Sequence, residues 1–242
     1  MQKQPRLIGI DIFRGWAITL MLIFHFSYDL QHFGYIDFNI TNTPFWINFR
    51  ILIVSMFLLT VGMSLKLAHQ YKINWKAIKK RVLFLGVTAF LVSLASYSQF
   101  PNTWIYFGIL HFILVTSILL LPLLNYPRIS LLFALIIWIS SINQWISFSY
   151  LFKLLAKPLH LPLYHTEDLV PIFPWIIFPL LGMSIIGLGW HQVLFNNSFF
   201  YKDNKLNRIW SFMGKQSLIV YLIHQPILFL LFLIIQKFYV LN

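Results

Sequence analysis

The chain has 242 residues, of which 59% are apolar, 19% aromatic and 10% charged. Soluble domains run at roughly 45–50% apolar and about 25% charged, so this composition excludes one and marks an integral membrane protein. The net charge of +12 does not argue for nucleic acid, because Lys and Arg fall between long apolar runs, where they set topology. The absence of cysteine excludes disulfides, thiolate catalysis and cysteine-ligated metals.

A helix needs about 20 apolar residues to cross a bilayer. On that ruler the chain predicts an all-α, polytopic bundle of about seven transmembrane helices in a single domain over residues 1–242. The spans lie at roughly 7–30, 45–65, 82–98, 104–123, 129–147, 169–190 and 217–236. Lys3 and Arg6 precede the first span as in a signal peptide, but Asp11 and Arg14 interrupt the apolar run. No small-residue cleavage site follows, so the segment is expected to be retained. Thirteen Lys and Arg residues fall in the N-terminus and the even-numbered loops, against Lys153, Lys157 and Lys237 on the other side. The positive-inside rule then puts the N-terminus in the cytoplasm and the C-terminus outside. The stretch 148–168 mixes aromatics, Leu, Lys and Pro, which suits a helix lying in the outer interface.

The first span, "IDIFRGWAITLMLIFHFSYDLQH", carries five groups that hydrocarbon penalises. At 100° per residue, Asp11, Arg14, His25, Asp29 and His32 share an arc of about 80°, so they form one stripe that faces protein or water. Asp11 and Arg14, three apart, can pair near the cytoplasmic end, either as packing glue or as part of a site. His25 and Asp29, four apart, can meet near the outer end, where a carboxylate would orient the imidazole as a general base. His32 lies at or beyond the outer boundary.

Later spans add polar groups. "WIYFGILHFI" places His111 in the outer half of the fourth span. "HTEDLVPIFPWIIFPLLGM" brings Glu167 and Asp168 to the mouth of the sixth, which Pro171, Pro174 and Pro179 disturb. "GKQSLIVYLIHQPILFL" puts His224 and Gln225 in the inner half of the seventh. By depth, Asp11, Arg14, His224 and Gln225 read as a cytoplasmic set, and His25, Asp29, His111, Asp168 and His32 as an outer set. Together they would line a route with a cationic inner mouth and an acid–base centre near the far side. A metal site from His25, Asp29 and His32 is the weaker reading, since no third-helix ligand accompanies them. No metal is therefore expected. The chain has no phosphate-cradling glycine loop, Gly-x-Ser-x-Gly elbow or His-Glu-x-x-His motif.

The opening "RLIGIDIFRGWAITLMLIFHFSYDL" resembles the first span of bacterial membrane proteins in the heparan-alpha-glucosaminide N-acetyltransferase catalytic-domain family. "MFLLTVGMSL", "YFGILHFI", "DLVPIFPWIIFPLLGM" and "GKQSLIVYLIHQPIL" resemble that family's later segments in order, and together they cover most of the chain. The resemblance implies an enzyme that takes an acetyl group from cytoplasmic acetyl-CoA and delivers it to a sugar or glycan across the inner membrane. It also implies a catalytic histidine near the outer end of the first span region, at His25 by the bacterial pattern or nearer His32 by the eukaryotic spacing. The chain lacks the large luminal extension of the eukaryotic enzymes, which argues against heparan sulfate as its acceptor.

On this reading His25 and Asp29 are catalytic, and Asp11, Arg14, His32, His111, Asp168, His224 and Gln225 contact substrate. Arg14 would attract the phosphates of acyl-CoA. Transfer is either direct or through an acetyl-imidazole. The competing class is a small proton-coupled transporter with the same His and Asp as a proton relay, although neither an inverted repeat nor paired broken helices is evident. A structural membrane subunit is a third class, and the polar stripe argues against it. The expected partners are the bilayer, acyl-CoA and a glycan or other small acceptor, without nucleic acid; the oligomeric state, homo-oligomer included, is left open.

Overall fold

The structure, a computed structural model, describes residues 7–40, 42–145, 168–195, 198–201 and 204–240, with 152, 154, 156, 158, 161, 162 and 166. The described chain is helical. In order the helices are α1 (Ile8–His32), α2 (Pro44–Ala68), α3 (Trp75–Gln99), α4 (Ile109–Leu119), α5 (Pro127–Ile142) and α6 (Ile172–Trp175). They continue with α7 (Ile177–Gly187), α8 (Trp190–Phe195), α9 (Ser198–Tyr201), α10 (Lys205–Lys215) and α11 (Ser217–Val240).

Among the described residues four helices are long and apolar enough to cross a bilayer: α1, α2, α3 and α11. They match the first, second, third and seventh predicted spans. The remaining three stretches form shorter helices, Ile109–Leu119, Pro127–Ile142 and Ile172–Gly187. Proline accounts for part of the shortening. A 3₁₀ turn with Pro122 in its first positions follows α4, and Pro127 starts α5. In the sixth stretch Phe173 takes an extended backbone (φ −102°, ψ 131°), which breaks the helix before Pro174. An 11-residue helix such as α4 is about 16 Å long, half the thickness of a hydrocarbon core. The predicted outer interfacial helix at 148–168 falls mostly outside the described residues, as do Glu167, Lys153 and Lys157.

The chain divides into two compact units, Met1–Thr60 with His191–Asn242, and Val61–Trp190. In the first, α1 is flanked by α10 and α11. Lipid tails are as apolar as leucine, so helices in a membrane associate through close packing rather than hydrophobic transfer. Glycine supplies that packing here. A Cβ on Gly15 would run into the backbone of Trp210, and one on Gly214 into the carbonyl of Asp11. The backbones of α1 and α10 therefore touch at both glycines. After Gln216 the chain reverses, and α11 follows α1 in the same direction: Val220 and Tyr221 join Ile18, Met21 and Ile53 in one apolar cluster, and Phe229 and Phe232 meet His32 and Phe33. The outer face of α11 exposes Ile219, Ile223, Ile227, Leu230 and Leu233, a surface that suits lipid.

In the second unit a Cβ on Gly62 would strike the carbonyl of Pro179, a comparable backbone approach between α2 and α7. Ser184 on α7 donates to the carbonyl of Pro127 (2.9 Å), which ties α7 to the start of α5.

Candidate functional site

The ionisable stripe of α1 turns inward over most of its length. Asp11, Ile18, Met21 and Asp29 are buried, Arg14 and His25 are partly buried, and His32, at the end, is exposed. At the N-terminal end Asp11 and Arg14 pair at 3.6 Å. The guanidinium also donates from Nη1 to the carbonyl of Gly214 (3.2 Å) and from Nε to Thr60 Oγ1 (3.3 Å). Arg14 thus ties α1 to α10 and α2 inside the first unit. The fork of donors that would suit a phosphate is directed at protein oxygens.

The C-terminal half of the stripe forms a second cluster with α11. Gln225 donates from Nε2 to Asp29 Oδ1 at 2.9 Å, and Asp29 is 0% exposed. The rings of His25 and His224 meet edge to face, with centroids 4.8 Å apart and planes at 63°. His224 is 7% exposed, and its Nδ1 lies 2.6 Å from the carbonyl oxygen of Tyr221. Asp29 Oδ2, His224 Nε2 and Gln225 Oε1 are buried and have no hydrogen-bond partner among the described residues.

Two expectations change here. His224 and Gln225 do not join Asp11 and Arg14 at one depth; they stand beside His25 and Asp29. The cause is α10, which occupies the flank of the first half of α1, so that α11 begins beside its middle. Counting residues along each helix from a common level misses that offset. The expected His25–Asp29 hydrogen bond is also absent among the described residues. The spacing puts both on one face, but the carboxylate accepts from the amide of Gln225 and the His25 ring turns to His224.

In the second unit His111 and Asp168 cap a helix. Asp168 Oδ2 accepts from the backbone N–H of Ile109, the first residue of α4, at 2.9 Å. His111 Nδ1 accepts from the N–H of Gly108 (3.3 Å), so its proton sits on Nε2, which faces Ser93 Oγ at 3.2 Å. Ser93 passes its own hydrogen to the carbonyl of Ile105 (2.6 Å). The β-bridge between Phe107 and Leu169 and the bond from Thr166 Oγ1 to the Trp104 carbonyl (2.8 Å) hold the two strands of loop together. A carboxylate at a helix N-terminus and a side chain returning to the N-cap amide satisfy the orphan donors found there. Both residues are engaged at the start of α4.

His32 stacks on Tyr28 and lies against Phe33 and Phe229, an aromatic surround at the end of α1. Among the described residues no three His, Asp or Glu side chains converge as a metal-holding group, and His25, Asp29 and His32 do not form one. The sequence reading missed the carbonyl of Tyr221 and the small-residue contact at Gly15 and Gly214. Both had a signal in the spacing: Tyr221 stands three residues before His224, and glycines interrupt otherwise bulky helices.

The family model described as heparan-alpha-glucosaminide N-acetyltransferase, catalytic, matches residues 6–226. That range runs through α1 and reaches the His224–Gln225 pair. No curated protein and no solved structure matches the chain.

Proposed function

The chain belongs to the heparan-alpha-glucosaminide N-acetyltransferase catalytic family, and from that premise we propose that it is a multi-pass acyltransferase of the inner membrane. It takes an acetyl group from cytoplasmic acetyl-CoA and passes it to a sugar or glycan acceptor at the outer side. The observation that carries this reading is the buried cluster of His25, His224, Asp29 and Gln225, in which three polar atoms await a partner. Membrane helices hold ionisable groups at a cost, and such groups mark functional sites by default. Leaving a buried acceptor unsatisfied costs about 1–3 kcal/mol, so three of them in one place suit a substrate that supplies hydrogens.

The chemistry follows from the atoms. An acceptor amine or hydroxyl places its hydrogen on an imidazole nitrogen of the cluster. Its lone pair attacks the thioester carbonyl carbon, the carbon–sulfur bond breaks, and the coenzyme leaves as thiolate, which recovers the proton. Asp11 and Arg14 act as positioning residues that hold α1 against α10. The same-direction run of α1 and α11 supports an even number of reversals between them, as seven crossings require, and the cytoplasmic N-terminus rests on the distribution of Lys and Arg. The single match through 6–226 supports one catalytic domain over both units.

Purified protein in liposomes, given radiolabelled acetyl-CoA and a panel of glycans, tests the reading. It expects label on an acceptor. Label that stays on the coenzyme while the protein conducts a solute with protons would make it a transporter instead.

A further inference from the structure

Resting on the transferase reading, we propose that His224 is the catalytic base, with His25 a positioning residue beside it and the Asp29–Gln225 pair receiving the acceptor's remaining hydrogens. The tautomer of His224 is set by its neighbour. A carbonyl oxygen carries no hydrogen, so the 2.6 Å contact with Tyr221 requires Nδ1 to donate. The in-plane lone pair is then on Nε2, the nitrogen that is buried without a partner. His224 therefore keeps its basic nitrogen unpartnered inside the buried cluster.

The other two unpartnered atoms are acceptors as well. Gln225 must turn its NH₂ toward Asp29, because the flipped amide would set two oxygens against each other. Its Oε1 is thereby left open, as is Asp29 Oδ2. Three unpartnered acceptors in one buried cluster suit a group rich in N–H or O–H, which is the nucleophile's end of the reaction. His25 has its ring edge-on to His224 and restricts how that imidazole can tilt.

In the step itself the acceptor's X–H bond breaks and its proton goes to His224 Nε2. The freed lone pair forms the X–C bond, and the thioester C–S bond breaks to release thiolate. The proton then passes from Nε2 to the sulfur.

The test compares full-length wild type, His224→Asn and His25→Asn in liposomes, with acetyl-CoA and the acceptor found active with wild type. Asparagine at 224 keeps a donor for the Tyr221 carbonyl and removes the base. It is expected to lower kcat by 100-fold or more, to leave the acceptor KM within about threefold, and to regain rate with added imidazole. His25→Asn is expected to lose about tenfold or less and to gain nothing from imidazole. His224→Asn retaining more than a tenth of wild-type kcat, or losing activity through KM without rescue, overturns the assignment. Should that variant fail to fold, ¹⁵N-histidine NMR of the wild type decides: the Nδ1–H tautomer at His224 supports the proposal and the Nε2–H tautomer overturns it. A wild type that transfers nothing sinks the transferase reading, and the assignment with it.

Discussion

Gln225 reaches Asp29 across 196 positions of sequence and donates a 2.9 Å hydrogen bond to a carboxylate with no exposed surface. The bond locks α11 to α1 at the level of the two histidines. Removing one partner of such a pair strands the other, so Gln225→Leu is expected to destabilise the protein by about 1–3 kcal/mol. The double variant Gln225→Leu with Asp29→Asn should depart from the sum of the two single losses, because the two side chains are in direct contact. Unfolding titrations in mixed micelles read both values.

The approach of α1 to α10 makes a second prediction. A leucine at Gly15 or Gly214 has no room, because it would meet backbone rather than the flexible end of a side chain. Overpacking costs about 1–3 kcal/mol where side chains can yield, and here the upper end or beyond is expected. Either substitution should lower the midpoint of thermal unfolding in detergent and weaken the Arg14–Gly214 hydrogen bond. Gly34→Ala, at an exposed turn with nothing near its missing Cβ, should cost less despite its positive φ of 77°.

How much of this was legible beforehand depends on which physical signal each residue carries. The inward stripe of α1 follows from helical spacing and the expense of polar groups in lipid, and the burial of Asp11 and Asp29 agrees with it. The long spans α1, α2, α3 and α11 follow from apolar length. The shortened stretches were signalled by proline, but the ruler of about 20 residues overrode that signal. Partners were not legible. Asp29 takes Gln225 instead of His25 because α10 displaces the start of α11 along α1, and such an offset is a matter of packing between distant segments. His111 and Asp168 look like site residues on composition, yet they satisfy the open end of α4. That role appears only when Gly108 and Ile109 are seen as the first turn of a helix.

Asp168→Ala should therefore act on stability before activity. It removes an anionic acceptor from the first N–H of α4, worth about 1 kcal/mol. The expected result is a lower unfolding midpoint with the acetyl-CoA KM unchanged, read in a thermal scan and a parallel assay.

His69, just beyond the end of α2, predicts a pH dependence of stability. Burial, and then the neighbouring Arg81, hold its pKa below the usual histidine value, while Nδ1 accepts from the N–H of Asn74 at 3.2 Å. The unfolded chain takes up a proton near pH 6.5 that the folded chain refuses. Stability contributed by neutral His69 is thus complete above about pH 6.5 and falls as pH drops below it. Unfolding midpoints measured from pH 8 to 5 should decline on the acid side. His69→Asn, which keeps an acceptor near the Nδ1 position, should flatten that part of the curve.

The topology is open to a direct check because the chain has no cysteine. Single cysteines at Lys72 and Lys237 should label differently with a membrane-impermeant maleimide in right-side-out vesicles. Seven crossings predict that Lys237→Cys reacts from outside and Lys72→Cys reacts only after permeabilisation.

The most direct measurement is single-turnover transfer from radiolabelled acetyl-CoA by wild type and by Asp29→Asn, after matching the two for folded fraction. The account predicts that wild type places label on a sugar hydroxyl or amine and that Asp29→Asn, with an amide donor where an acceptor was needed, does so at least 100-fold more slowly. An Asp29→Asn protein that transfers label at the wild-type rate would remove the buried cluster from the chemistry.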